Sequence, residues 1–140
     1  MGREYFERQD VLAFNAKFRV PMAEQPSLLC KHLREYRVKF LAEELIEFKD
    51  AMEREHLPDA ADALVDLAYV LHGTALMMGL PWSQLWELVH EKNMAKTPAK
   101  RAEESKRGSI YDVVKPPEWT PPDHRTYLGD GPWPVFDPEV

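Results

Sequence analysis

Apolar positions recur at helical spacing through the first two thirds of the chain. Phe6, Val11, Leu12, Phe14 and Phe18 predict a helix over 4–18. Pro21 and Pro26 bracket a loop, and Ser27 is placed to cap a long helix running to about Glu55. The apolar stripe of that helix is Leu41, Leu45, Phe48 and Met52, spaced 4, 3, 4. Leu57-Pro58 starts a third helix, with proline at a tolerated first-turn position; it runs to Met78, where Gly79 is a natural stop. Gly73 within it weakens the helix relative to alanine, so close packing or a kink is expected there. After Pro81, the residues Trp82, Leu85, Trp86 and Val89 recur at i, i+3, i+4 and i+7 and predict a fourth helix ending near Lys96-Thr97-Pro98. The expected fold is all-α, a small bundle of about four main helices.

Beyond residue 97 the pattern changes. Residues 97–140 hold eight of the twelve prolines, which ordinary helices cannot accommodate. The same stretch keeps Ile110, Tyr111, Val113, Val114, Trp119, Tyr127, Trp133 and Phe136, more aromatic content than a disordered tail usually carries. The expected organisation is a helical domain over 1–97 and an extended C-terminal arm over 98–140 that packs on its own body or on a neighbouring subunit.

Charge narrows the partners. The chain has 140 residues with 24 acidic and 18 basic side chains, a formal net charge of -6. That balance argues against general nucleic-acid binding and against an anionic membrane surface. A small anionic substrate stays open, because a bound metal ion can reverse the sign of a local site. The lone Cys30 excludes an intrachain disulfide and fits a reducing cytoplasm. Met1-Gly2-Arg3-Glu4-Tyr5 has no apolar signal core, and Phe6 stands where a myristoylation signal wants Ser or Thr. Asp62, Asp66, His72 and Gly73 interrupt the longest apolar run, so no membrane span is expected.

The candidate chemistry lies in that interrupted run. Asp62 and Asp66 are set in Ala60-Ala61-Asp62-Ala63-Leu64-Val65-Asp66-Leu67-Ala68-Tyr69, and a helix apolar on all sides belongs in a core. A carboxylate there is costly unless it is paired or bound to a metal. The i, i+4 spacing puts both on one face, and Asp59 extends the line. Upstream, Glu44 and Glu47 flank the apolar stripe, while Glu43 and Asp50 turn further outward. Two helices with inward carboxylates and no obvious cationic partner point to a divalent ion. Hard oxygen donors without thiols favour Mg²⁺ or Mn²⁺ over zinc.

These strings carry a family resemblance. Glu43-Glu44-Leu45-Ile46-Glu47, Asp62-Ala63-Leu64-Val65-Asp66-Leu67-Ala68-Tyr69-Val70, Gly73-Thr74-Ala75, Gly79 and His90-Glu91-Lys92-Asn93-Met94-Ala95-Lys96 resemble the MazG-like all-α nucleoside triphosphate pyrophosphohydrolases, especially phage and bacterial forms. The likeness covers about residues 10–97, and Val114-Lys115-Pro116-Pro117 and Pro121-Pro122-Asp123 in the arm are also similar to theirs. It implies Mg²⁺-dependent cleavage between the α and β phosphates, giving a nucleoside monophosphate and pyrophosphate. The E-x-x-E of that family falls on Glu44 and Glu47, with Glu43 beside them as a further catalytic candidate. Its E-x-x-D ends on Asp66, but Ala63 stands at the Glu position and Asp62 lies one residue earlier. Its N-x-x-K falls on Asn93 and Lys96, suited to phosphate oxygens. Phe14, Phe18 and Asn15 are candidates for a base pocket, and Arg37 for a triphosphate contact. The resemblance further implies a homodimer or homotetramer in the cytoplasm, that of the host for a phage-encoded form. It admits dGTP, ranked slightly first, as well as dUTP, dCTP or general pool cleaning.

Two readings of another kind stay open at this point. Glu53-Arg54-Glu55-His56 and Glu87-Leu88-Val89-His90 are Glu-x-x-His strings of the sort used by di-iron carboxylate bundles. The aromatic arm would also suit a noncatalytic helical module that binds another protein.

Overall fold

The computed structural model describes residues 6–140, and the described chain is mostly helical. The four main helices are α1 (Glu7–Lys17), α2 (Lys31–Glu53), α3 (Leu57–Met77) and α4 (Trp82–Met94), with a short α5 (Arg125–Leu128). Two-residue strands β1 (Leu28–Leu29), β2 (Thr97–Pro98), β3 (Val113–Val114) and β4 (Val135–Phe136) complete it. The all-α expectation holds. Residue 4, the expected start of the first helix, lies outside the described residues, as does the Met1–Tyr5 segment.

The chain forms two compact units. One comprises the chain up to Leu80 together with Pro132–Val140; the other is Pro81–Gly131.

In the first unit α2 and α3 pack along one another, and α1 lies on α3. The tight connection between α2 and α3 has a local cause. Glu55 takes the left-handed conformation at φ 54°, and His56 caps α3 by accepting the Asp59 amide on Nδ1 at 3.2 Å. Pro58 sits in the first turn, where its missing N–H costs nothing. The far end of α3 is clasped by the loop before α2. Ala23 N donates to Met77 O at 3.0 Å and Ser27 N to Met78 O at 2.9 Å, satisfying carbonyls that a helix end leaves open. Gly79, at φ +64°, is obligatory there, since a Cβ would lie 2.6 Å from Gln25 O.

Two expectations are corrected. Ser27 does not cap α2; its hydroxyl donates to Gln25 O at 2.8 Å. The helix is delayed to Lys31 because Leu28 and Leu29 are taken by a parallel pairing with Val135 and Phe136. Nor is the stripe of α2 its buried face. Leu33, Arg37, Glu44 and Ala51 are buried, whereas Leu45 and Met52 are each 56% exposed. The core proper is Leu29, Leu33 and Met77, packed with Val20, Cys30, Met78 and Phe136. Fully burying a side chain such as that of Met77 stabilises by about 1.5–3 kcal/mol.

α3 has the length and mean hydropathy of a membrane span. In the structure Ala60, Ala63, Val70, Gly73, Ala75, Leu76 and Met77 are buried against protein. Leu64 and Val65 on the same helix stay open, Val65 at 65%.

In the second unit β2 and β3 pair antiparallel, Thr97 with Val114 and Pro98 with Val113. The indole of Trp119 ties the Pro-rich segment to α4 by donating to Lys92 O at 2.7 Å.

Candidate active site

The long α2 and the close-packed α3 bring three carboxylates together. Oxygens of Glu44, Glu47 and Asp66 all lie within 4.8 Å of one another. Glu44 and Glu47 are one turn apart on α2, and Asp66 reaches them from α3.

Glu44 is the deepest member, at 9% exposure, and its Oε2 has no hydrogen-bond partner among the described residues. A buried acceptor left unsatisfied costs about 1–3 kcal/mol, more when charged. Burial pushes the Glu44 carboxyl above its ordinary value. The Glu47 and Asp66 charges, a hydrogen bond with Glu47 and the Asp62 charge push it the same way. Among the described residues no cation offsets them. The sequence had suggested the aspartates of α3 as the buried acids, but Asp62 is exposed and the buried acid is on α2. The buried residues of α3 are small or apolar, Ala60, Ala63, Val70 and Gly73 among them, and the long side chains of Arg37 and Glu44 are the buried charged groups of α2.

These donors fit a small divalent ion. An octahedral shell at about 2.1 Å separates its oxygens by roughly 3–4 Å, close to the span of this group. The oxygen-only donor set and the orphaned Glu44 Oε2 are what Mg²⁺ or Mn²⁺ would satisfy.

The other sequence candidates are distributed. Glu43 and Asp50 face solvent outside the group. Asp62 reaches it only through its field on Glu44. Arg37 is 6% exposed and is held between the helices, donating from Nε to Thr74 Oγ1 at 3.0 Å and from Nη2 to Val70 O at 2.8 Å. Burial lowers its pKa, and the Tyr36 and Phe40 rings lie 5.2 and 5.4 Å from it. Thr74 was given no role of its own in the sequence, where it stood only within the Gly73-Thr74-Ala75 string; an i+4 hydroxyl one turn beyond Val70 was the available signal. Asn15 is buried in α1 with Nδ2 unpaired among the described residues. Phe14 packs against Phe18 at 4.7 Å with the rings tilted by 51°, and meets Tyr69 edge-on at 5.4 Å. Asn93 and Lys96 belong to the other unit. A mostly apolar recess of about 500 Å³ opens beside Arg37, lined by Leu28, Val38, Leu41, Thr74 and Met78.

Two carboxylate-bearing helices with this spacing agree with a family match. The family model of phosphoribosyl-ATP pyrophosphohydrolase covers residues 11–93, from the middle of α1 to the end of α4. The chain belongs to that family. It therefore stands within the MazG-like all-α nucleoside triphosphate pyrophosphohydrolase superfamily, as the resemblance implied. It is a hydrolase of phosphoric anhydrides that acts on a nucleotide. No individual curated protein matches the chain. The di-iron and noncatalytic readings give way to this one. Glu53 is engaged by Lys49 at 2.7 Å, and His56 is spent on capping α3.

Proposed function

We propose that this protein is a Mg²⁺-dependent nucleoside triphosphate pyrophosphohydrolase, with Mn²⁺ able to substitute. It cleaves between the α and β phosphates to release a nucleoside monophosphate and pyrophosphate. The observation that carries the reading is the convergence of Glu44, Glu47 and Asp66 around an unpaired buried oxygen. Those three residues hold the ion, and Asp62 deepens the negative field around them. When bound, such an ion neutralises phosphate charge and lowers the pKa of a coordinated water. The protein's own part is to present acids that cannot all stay charged without a cation.

The recess beside Arg37 is the reading's base pocket. Arg37 precedes Glu44 by seven residues of α2, about 10 Å at 1.5 Å per residue, the reach of a phosphate chain. Asn15, with an unpaired amide, is a further candidate for reading the base. dGTP is placed slightly ahead of dUTP and dCTP. A second substrate reading, phosphoribosyl-ATP, is favoured by the description of the matching family.

The working form is a homodimer or homotetramer. Leu45, Ile46, Leu64 and Val65 form an open apolar set on the two helices that carry the acids. The deciding experiment incubates the protein with each common nucleoside triphosphate and with phosphoribosyl-ATP, with Mg²⁺ and with chelator, and measures both products. Turnover of one compound above the rest, lost in chelator, is expected. Undiminished turnover in chelator removes the proposed role of the acids.

A further inference from the structure

The second unit carries a cluster of positive charge that the acid site does not use. Residues 92–115 hold seven basic and three acidic side chains, against a chain that is acidic as a whole. Four of those cations, Lys96, Lys106, Arg107 and Lys115, line one cavity of about 370 Å³ together with Glu104 and Asp112.

Both acids are already engaged. Asp112 accepts from Arg107 Nη2 at 2.7 Å, Ser105 Oγ at 2.6 Å and the Val113 amide at 2.8 Å. Glu104 accepts the Lys100 amide at 3.0 Å and lies 3.7 Å from Arg101 Nε. Lys96, Lys106 and Lys115 therefore have no carboxylate partner among the described residues.

The backbone forces two of these lysines together. Thr97 pairs with Val114 across the β2–β3 ribbon, and continuing that register sets Lys96 opposite Lys115. Like charges directly opposite each other destabilise a ribbon. Here both ammoniums approach one ring, that of Trp119, at 5.3 and 4.8 Å from its centroid. The indole is fixed in turn by its bond to Lys92 O. Cation–π attraction eases the repulsion without cancelling the charge. The outcome is two unneutralised ammoniums gathered at one anchored ring, with Lys106 lining the same cavity as both lysines.

We propose that this cavity is a binding site for an oligophosphate, with Lys96, Lys106 and Lys115 contacting a phosphate chain of two or more negative charges. Lys96 is the one member implied by the family resemblance; Lys106, Lys115 and Trp119 lie in the arm beyond the matched residues. The ligand is either a nucleotide's phosphate tail or released pyrophosphate. Its use in turnover rests on the hydrolase reading, but the binding itself needs neither metal nor the acids of α2 and α3.

The test is calorimetric titration of the full chain with pyrophosphate, in chelator and at low salt. Saturable binding is expected, and salt should weaken it. The Lys106→Gln/Lys115→Gln double variant should lose at least about tenfold, the scale of two charge-assisted contacts. Lys39→Gln/Lys49→Gln, which removes the same charge from α2, should bind like the parent, as should Glu44→Gln. A parallel titration with a nonhydrolysable triphosphate analogue separates the sources: the tighter ligand identifies the natural one. Trp119 supplies an independent signal, since displaced ammoniums change its emission; pyrophosphate should shift the fluorescence of the parent and not of Trp119→Phe. Absence of saturable metal-free binding overturns the proposal. So does a double variant that folds and binds like the parent, or an equal loss in the Lys39/Lys49 control. Binding that persists in a chain with no nucleotide turnover would leave this site standing and remove the hydrolase reading alone.

Discussion

Gly73 and Arg37 interlock across the seam between α2 and α3. A Cβ on residue 73 would lie 2.8 Å from Arg37 Nη2, the atom that donates to Val70 O. The close approach expected of a mid-helix glycine is thus specific to one guanidinium. Gly73→Ala gains about 1 kcal/mol of helix propensity, but displaces a charged hydrogen bond worth about 1.5–3 kcal/mol. The net expectation is a destabilisation of about 1 kcal/mol, read as a lower melting temperature. In an Arg37→Met background the obstruction is gone and Gly73→Ala should stabilise instead. A double-mutant cycle measures that reversal of sign, and additive effects would show that the two residues are not coupled.

Glu44→Gln separates the metal reading from a structural one. The amide keeps the shape, loses the charge and can donate to Glu47. In chelator the variant should melt higher than the parent, because one of several crowded acids has been neutralised. Added Mg²⁺ should raise the melting temperature of the parent and leave the variant nearly unmoved, with turnover of the folded protein lost. Asp66→Asn and Glu47→Gln should follow, and Asp50→Asn should not. Lower stability of Glu44→Gln with turnover intact would make these acids structural.

The metal-free protein should gain stability on mild acidification. Glu44 is raised in the folded state, so the native chain binds more protons than the unfolded one between the ordinary value, about 4.3, and the native value. Stability then falls as pH rises through that window, and the penalty is complete above it. Denaturant melts in chelator should show the slope in the parent and a flatter profile in Glu44→Gln.

Asp112 carries the opposite sign. Arg107, Ser105 and the Val113 amide hold it well below the usual carboxylate range. Its contribution is present above the unfolded value, about 3.9, and is lost as pH falls through the native one. Asp112→Asn should therefore weaken the Pro81–Gly131 unit at neutral pH and make its acid unfolding less steep. Hydrogen exchange of the Val113 amide across pH measures this directly.

The open apolar set predicts the oligomer. Val65→Glu together with Leu45→Glu should convert a dimer or tetramer to monomer in light scattering. A parent that runs as a 16.3 kDa monomer removes the claim.

Much of this was legible in the residues because helices report themselves through periodicity and punctuation. Pro58, Gly79 and Pro81 marked the element boundaries to within a residue or two. The pair Glu44 and Glu47 was legible from its position beside the α2 stripe. The stripe's exposure was not, since periodicity identifies an apolar face without saying which neighbour covers it. The delayed start of α2 was hidden for a related reason. It depends on a strand pairing with residues more than a hundred positions away, and no local pattern at Ser27 carries that information. Arg37's clamp was likewise invisible until α3 was laid against α2.

That distant pairing also has a consequence in time. Leu28 and Leu29 form β1 just ahead of α2, yet their partners Val135 and Phe136 are synthesised more than a hundred residues later. A nascent chain can assemble the α2–α3 hairpin early, from contacts near in sequence. It cannot pack Phe136 against the Leu29, Leu33 and Met77 core until that residue emerges from the ribosome. The unit that holds the acids thus closes only after all of Pro81–Gly131 has been made, and a chain stalled in that stretch would carry Glu44, Glu47 and Asp66 on an unfinished core.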